Sequence, residues 1–191
     1  MKAYTEQELV NGCRRNDRRY QEAVYRQYYS SFLKVCARYA QNMADAEQLL
    51  QDAMLTIFSK ISSYGGTGSF EGWMRRIMVN TCLDYLKSKY LKTSMRMEIN
   101  ADKVEATAGS ISNSGLDKME FKELVGMMQA LPAVTRTVFN LFVFEGYSHK
   151  QIGTLLDISE GTSSWHVHQA RKLLQKKFQE LNVENRTYAT K

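Results

Sequence analysis

The stretch Gly146-Tyr-Ser-His-Lys-Gln-Ile-Gly-Thr-Leu-Leu-Asp-Ile-Ser-Glu-Gly-Thr162 decides how this chain reads. Ser148 and Gln151 stand at Ser-x-x-Gln spacing, so each side chain can satisfy the other residue's backbone N–H at a helix start. Ile152, Leu155 and Leu156 give the short helix that follows an inward face. Asp157 falls at a turn, where it accepts left-handed backbone less readily than glycine but better than most residues. Ile158 fills the angle between the helices. Ser159 then caps a second helix, and Glu160 in its first turn complements the helix dipole. Two short helices with their own start signals and a turn between them spell a helix-turn-helix.

The flanks fit that core. Upstream, Pro132 suits the first turn of a helix, and Val134, Val138, Phe139, Leu141, Phe142 and Val143 give it a wide apolar face that stops near Gly146. Downstream, the second helix runs from about 160 to 180 with Val167, Ala170, Leu173, Leu174 and Phe178 inward. Its other face carries Ser164, Trp165, His168, Gln169, Arg171 and Lys172. Such a helix can enter a major groove, where glutamine suits adenine, arginine suits guanine and lysine holds phosphate. His166 and His168 lack a third ligand at sensible spacing, so solvent or DNA contact is expected of them rather than zinc.

The N-terminal half is also helical in pattern. Residues 5–40 place Leu9, Ala23, Val24, Tyr28, Phe32, Val35 and Tyr39 at helix spacing, and residues 43–61 carry a clean stripe from Met43 through Leu50, Met54 and Ile57 to Ile61. Three glycines within Gly65–Gly68 break the pattern. Residues 70–90 resume it, with Phe70 and Trp73 on the apolar side. Arg76, Asn80, Asp84 and Lys87 form one polar stripe on that helix. Residues 92–115 are rich in small polar residues without period and read as a flexible linker. Helical patterning returns from Leu116 to about Leu181, and residues 183–191 read as a frayed end. The expected architecture is all-α: a helical domain over 5–91, a linker over 92–115 and a helix-turn-helix domain over 116–182.

Composition agrees with this picture. The 191 residues include one proline and 11 glycines, which favours long helices over many turns. The net charge of +6 suggests a polyanionic partner only weakly. No apolar run has the length of a signal core or a membrane span, so no membrane insertion is expected. Three dispersed cysteines support neither disulfides nor a metal site, which fits a cytoplasmic protein. No catalytic motif is visible, so the chain is expected not to be an enzyme and to need no cofactor and no metal.

Two sets of strings together resemble a known family. Leu131-Pro-Ala-Val-Thr-Arg-Thr-Val-Phe139, Glu145–Ile152, Leu156–Thr162 and Gln169-Ala-Arg-Lys-Leu173 are similar to region four of bacterial sigma factors of the extracytoplasmic-function (ECF) type. Asp45–Phe58, and Phe70–Asn80 with Leu83-Asp-Tyr-Leu86, resemble region two of the same family. The resemblance implies a transcription initiation factor that binds core RNA polymerase and directs it to promoters. It implies docking on the clamp helices of the largest subunit through Asp45, Gln48, Gln51 and Asp52, with the flap as a further polymerase contact. It implies minus-ten contacts from Tyr64, Arg76, Asn80, Asp84 and Lys87. Minus-thirty-five contacts would come from Ser164, Trp165, His168, Gln169, Arg171 and Lys172. An anti-sigma factor is a further implied partner. The chain departs from the family pattern where Ser163 replaces a usual valine and Asp157 a turn glycine. A stand-alone helix-turn-helix regulator is the alternative, though it has no reason to carry the region-two strings. An interaction protein without DNA binding would leave the basic recognition helix unexplained.

Overall fold

The computed structural model describes residues 4–88 and 121–188, with side chains described for 4–88 and 123–180. The expected linker over 92–115 and the helical stretch expected over 116–120 lie outside the described residues. The chain divides after Ser88 into two compact units. Among the described residues the regular structure is entirely helical.

The first unit holds α1 (Glu6–Arg14), α2 (Arg18–Tyr39), α3 (Met43–Lys60) and α4 (Phe70–Leu86), with a single 3-10 turn at Ile61–Ser63. Each start is capped from its own sequence. Thr5 and Glu8 form a capping box, and Asp17, Asn42 and Ser69 accept backbone N–H groups ahead of α2, α3 and α4. α2 packs against α1, α3 and α4, and α3 packs on α4. Phe32, Tyr39, Leu50, Ile57, Phe70, Met74 and Met78 fill the space between them. Their burial is the main drive for the unit's folding.

The periodicity over residues 5–40 is not one helix. It breaks at Asn16, whose φ of 57° is left-handed. Asparagine tolerates that geometry, and the turn lets Asp17 restart the chain as the α2 cap. Gly12 makes the corner tight, since a Cβ there would stand 2.1 Å from the Tyr20 ring.

The second unit holds α5 (Phe121–Gln129), α6 (Ala133–Val143), α7 (His149–Leu156) and α8 (Glu160–Tyr188). Pro132 precedes α6 as its cap residue. Met127, Met128, Leu131, Phe139, Ala170 and Leu174 form a core onto which Leu124, Phe144, Leu173 and Phe178 pack. Arg136 is buried and donates to the Gln129 carbonyl at 3.2 Å, which fastens α6 to the end of α5. Two expectations are corrected here. Val143, placed on the apolar face of α6, is exposed. The last helix also runs on to Tyr188, because residues 181–188 contain neither proline nor glycine to stop it.

Candidate nucleic-acid and polymerase surfaces

The helix-turn-helix is built as its caps require. Ser148 accepts from the Gln151 N–H at 3.3 Å, while the Ser148 N–H donates to Gln151 Oε1 at 2.8 Å. Asp157 closes α7 at φ 58° and ψ 48°, the left-handed geometry that favours glycine there. Ser159 Oγ accepts from the Thr162 N–H at 2.9 Å and opens α8. Gly153 was not singled out by sequence reasoning, yet it governs the turn. A Cβ at that position would lie 2.7 Å from the Ile158 carbonyl oxygen.

A buried polar lattice fixes α8 against α6 and α7. His149 stacks on Phe142 with ring centroids 4.4 Å apart, and its Nδ1 shares a 3.0 Å hydrogen bond with Ser163 Oγ. Ser163 is fully buried, so its hydroxyl needs that partner. The departure from valine is thereby matched by His149. His166 is not the solvent or DNA contact expected of it. It is 2% exposed, and its Nδ1 shares a 3.0 Å hydrogen bond with Thr135 Oγ1. Histidine sits between helices here because the phase of α8 turns residues 163, 166, 167 and 170 inward together.

Burial pushes the His166 pKa down from the ordinary 6.5 to about 4. The folded state therefore binds its proton less readily than the unfolded state. The neutral ring's contribution is complete above pH 6.5 and disappears as pH falls toward 4. The second unit should lose about 3 kcal/mol of stability across that window. Urea unfolding followed at several pH values checks this. H166N should flatten that part of the profile.

The polar face of α8 remains outward. Ser164, Arg171 and Lys172 are exposed, while Trp165, His168 and Gln169 are half-buried at its edge. All six candidate minus-thirty-five residues therefore lie on one helix with a polar edge accessible.

On the first unit, Arg76, Asn80, Asp84 and Lys87 are all exposed and follow one another along α4 and the turn that ends it. Tyr64 does not join them. It is 5% exposed, with its ring against Phe70 and Trp73 at 5.3 and 5.5 Å. Its hydroxyl donates to the Gly68 carbonyl at 2.8 Å and lies 3.2 Å from Glu6 Oε1. Burial, with the Glu6 carboxylate beside it, raises the phenol above its ordinary pKa. Tyr64 thus closes the base of the glycine loop, and the correction is from surface contact to loop anchor. Gly66 and Gly68 take left-handed φ values of 77° and 81°, which the fold at that base requires.

α1 braces the same loop. The Phe70 N–H donates to Glu6 Oε1 at 3.3 Å, and the Arg14 guanidinium donates to the Tyr64 carbonyl. No local pattern in the sequence marks these contacts, because their partners stand 50 or more residues away.

The third surface is the outer face of α3. Gln48, Gln51 and Asp52 are exposed, with Gln48 Nε2 donating to Asp52 Oδ1 at 2.9 Å. Asp45 stands apart, since it is half-buried and accepts the Tyr85 hydroxyl at 2.8 Å, tying α3 to α4. Leu55 is 69% exposed on the helix face that carries Gln48, Gln51 and Asp52. It falls out of phase with the inward stripe, which was the signal available in the sequence. Met43, read as part of that inward stripe, is 54% exposed at the helix start.

Among the described residues no group of three or more histidine, cysteine or acidic side chains could hold a metal ion. No described helix is long and apolar enough to cross a membrane.

Residues 24–91, all but the last three in the first unit, match the family described as Sigma-70 region 2, and residues 121–174 of the second match Sigma-70, region 4. The chain is 27% identical over 153 residues to "ECF RNA polymerase sigma factor SigE" of Mycolicibacterium smegmatis, covering 80% of this chain and 59% of that protein. It is 24% identical over 184 residues to "RNA polymerase sigma-H factor" of Pseudomonas aeruginosa, covering 92% and 95%. In fold it resembles the solved structure of CnrH in complex with the cytosolic domain of CnrY. The TM-score there is 0.50 at 14% identity, over 92% of this chain and 97% of that one. Regions two and four, falling in order on the two units, together with the likeness to ECF sigma factors, make the chain a member of the ECF type of the sigma-70 family.

Proposed function

We propose that this chain is a promoter-directing initiation factor that joins core RNA polymerase and presents two DNA-reading surfaces. The observation that carries this reading is their distribution. One unit has an exposed stripe of arginine, asparagine, aspartate and lysine beside a glycine loop, and the other has a helix-turn-helix with a polar outer edge. A stand-alone regulator would need only the second.

In this proposal, Asn80 supplies both a donor and an acceptor to an exposed base edge of the minus-ten element. Arg76 and Lys87 hold phosphate nearby, and Asp84 completes the stripe. Tyr64 and Glu6 act behind the loop rather than on DNA. On the duplex element, Gln169 and His168 face base edges, Ser164 and Trp165 flank them, and Arg171 and Lys172 contact phosphate. Gln48, Gln51 and Asp52 form the polymerase-docking face. Their amides and carboxylate suit arginines on the clamp helices. Polymerisation belongs to the core enzyme, and the chain is read as a non-catalytic cytoplasmic subunit. Polymerase contact extends to the flap, and the family resemblance adds an anti-sigma factor as a partner.

Asn80→Ala tests the minus-ten assignment. Open-complex formation, followed by permanganate reactivity of unpaired thymines, should fall about tenfold or more, as removal of a bidentate base contact implies. Affinity for core polymerase should change less than twofold. Equal loss of both would show that Asn80 supports the fold or the polymerase interface instead.

A further inference from the structure

The α1–α2 corner carries a charge concentration that neither assigned DNA surface uses. Residues 14–19 contain four arginines and one aspartate. Arg14, Arg15, Arg18 and Arg19 are all exposed. Asp17 is committed locally: it accepts from the Arg19 backbone at 3.0 Å and pairs with the Arg19 guanidinium at 2.9 Å. The same guanidinium holds the Asp17 carboxyl below its ordinary range. Among the described residues, Arg15 and Arg18 have no ion-pair partner. Asp17 also feels the charge of Arg15, but one carboxylate stands against four guanidinium groups. Glu22 pairs with Arg26 at 2.6 Å, and Glu6 and Glu8 sit at the far end of α1.

The corner is joined to the glycine loop. Arg14, in the last turn of α1, donates to the Tyr64 carbonyl at one end of the loop. Glu6, in the first turn, holds the Phe70 N–H at the other end, where α4 begins. α1 therefore spans the loop, with the arginine corner at the Tyr64 end and the Arg76–Lys87 stripe on the helix that begins at the Phe70 end. A strand that runs from the stripe across the loop toward Tyr64 ends at the corner.

We propose that the α1–α2 corner is a third DNA-contacting surface, in which Arg15 and Arg18 bind the phosphate backbone of the promoter strand as it leaves the loop. The inference rests on the promoter-binding reading above. The ligand is a polyanionic backbone rather than a base, because guanidinium groups on an exposed corner supply charge and forked donors but no enclosed pocket. Arg19 is partly neutralised by Asp17 and orients the start of α2. Arg14 is a positioning residue, spent on the loop carbonyl.

The test uses the full chain assembled with core polymerase on a promoter fragment. Promoter affinity is measured from 50 to 300 mM potassium chloride for wild type, R15A/R18A and R15K/R18K. The alanine pair should weaken binding about tenfold and reduce the slope of log affinity against log salt by about 1.4–1.8, the value for two phosphate contacts on single- or double-stranded DNA. The lysine pair should restore the slope. Core affinity and the melting temperature should match wild type in both. An unchanged slope would overturn the inference. So would a loss confined to core binding, which would make the corner a protein contact. If the wild-type holoenzyme itself fails to bind the promoter, the promoter-binding reading falls and takes this inference with it.

Discussion

Gly153→Ala should melt the helix-turn-helix unit early while leaving the region-two unit unmoved. The added methyl would stand 2.7 Å from the Ile158 carbonyl oxygen, a backbone atom with no rotamer to escape into. Relief requires moving the turn, yet the turn is fixed from both sides. The Ile158 N–H donates to the Gly153 carbonyl at 3.1 Å, and Asp157 already sits in left-handed geometry. Overpacking of this kind costs about 2–3 kcal/mol, which lowers the melting temperature of so small a unit by about 10–15 °C. The chain has two tryptophans, Trp73 in the first unit and Trp165 in the second. In a Trp73→Phe background, Trp165 fluorescence reports the second unit alone. An early transition there, with an unmoved Trp73 transition in the complementary Trp165→Phe chain, is the expected result. Equal melting of wild type and Gly153→Ala would show that the turn relaxes freely.

Leu55→Asp should abolish most polymerase binding without destabilising the chain. Leu55 is 69% exposed in the free protein, so its replacement removes little buried area and leaves folding stability within about 0.5 kcal/mol. On the proposed docking face the balance reverses. Leu55 is an exposed apolar group adjoining Gln48, Gln51 and Asp52 on one face, and a large exposed side chain of this kind can carry much of an interface's binding energy. A carboxylate there must be desolvated beside Asp52. Affinity for core polymerase should fall about 30-fold or more, corresponding to a loss of about 2 kcal/mol. Fluorescence anisotropy of the labelled chain titrated with core polymerase measures it. Binding within threefold of wild type would move the docking face away from the centre of α3.

What could be read from the sequence was local chemistry. The Ser148–Gln151 box, the Asp157 turn and the Ser159 cap each depend on residues within four positions of one another, and all three stand in the structure as read. The α4 stripe was legible for the same reason, since helical phase alone places Arg76, Asn80, Asp84 and Lys87 together. Features that depend on distant partners were not legible. Tyr64 looked like a loop residue free for contact, but Phe70, Trp73 and Glu6 enclose it. His166 was expected to meet solvent or DNA, but Thr135, 31 residues earlier, supplies its partner. Asn16 hid a helix break because residues 14–19 are polar throughout and contain neither proline nor glycine to mark the turn. Leu55 was the intermediate case. Its phase was visible in the sequence, but its consequence needed the polar face around it.

The most direct measurement is promoter-dependent transcription by sigma-free core polymerase with and without the full chain. The chain should co-elute with core, and added chain should produce transcripts starting at defined sites. Those transcripts should be lost when either the minus-ten or the minus-thirty-five element is replaced. A chain that neither co-elutes with core nor supports initiation at any promoter of its host would contradict the initiation-factor reading.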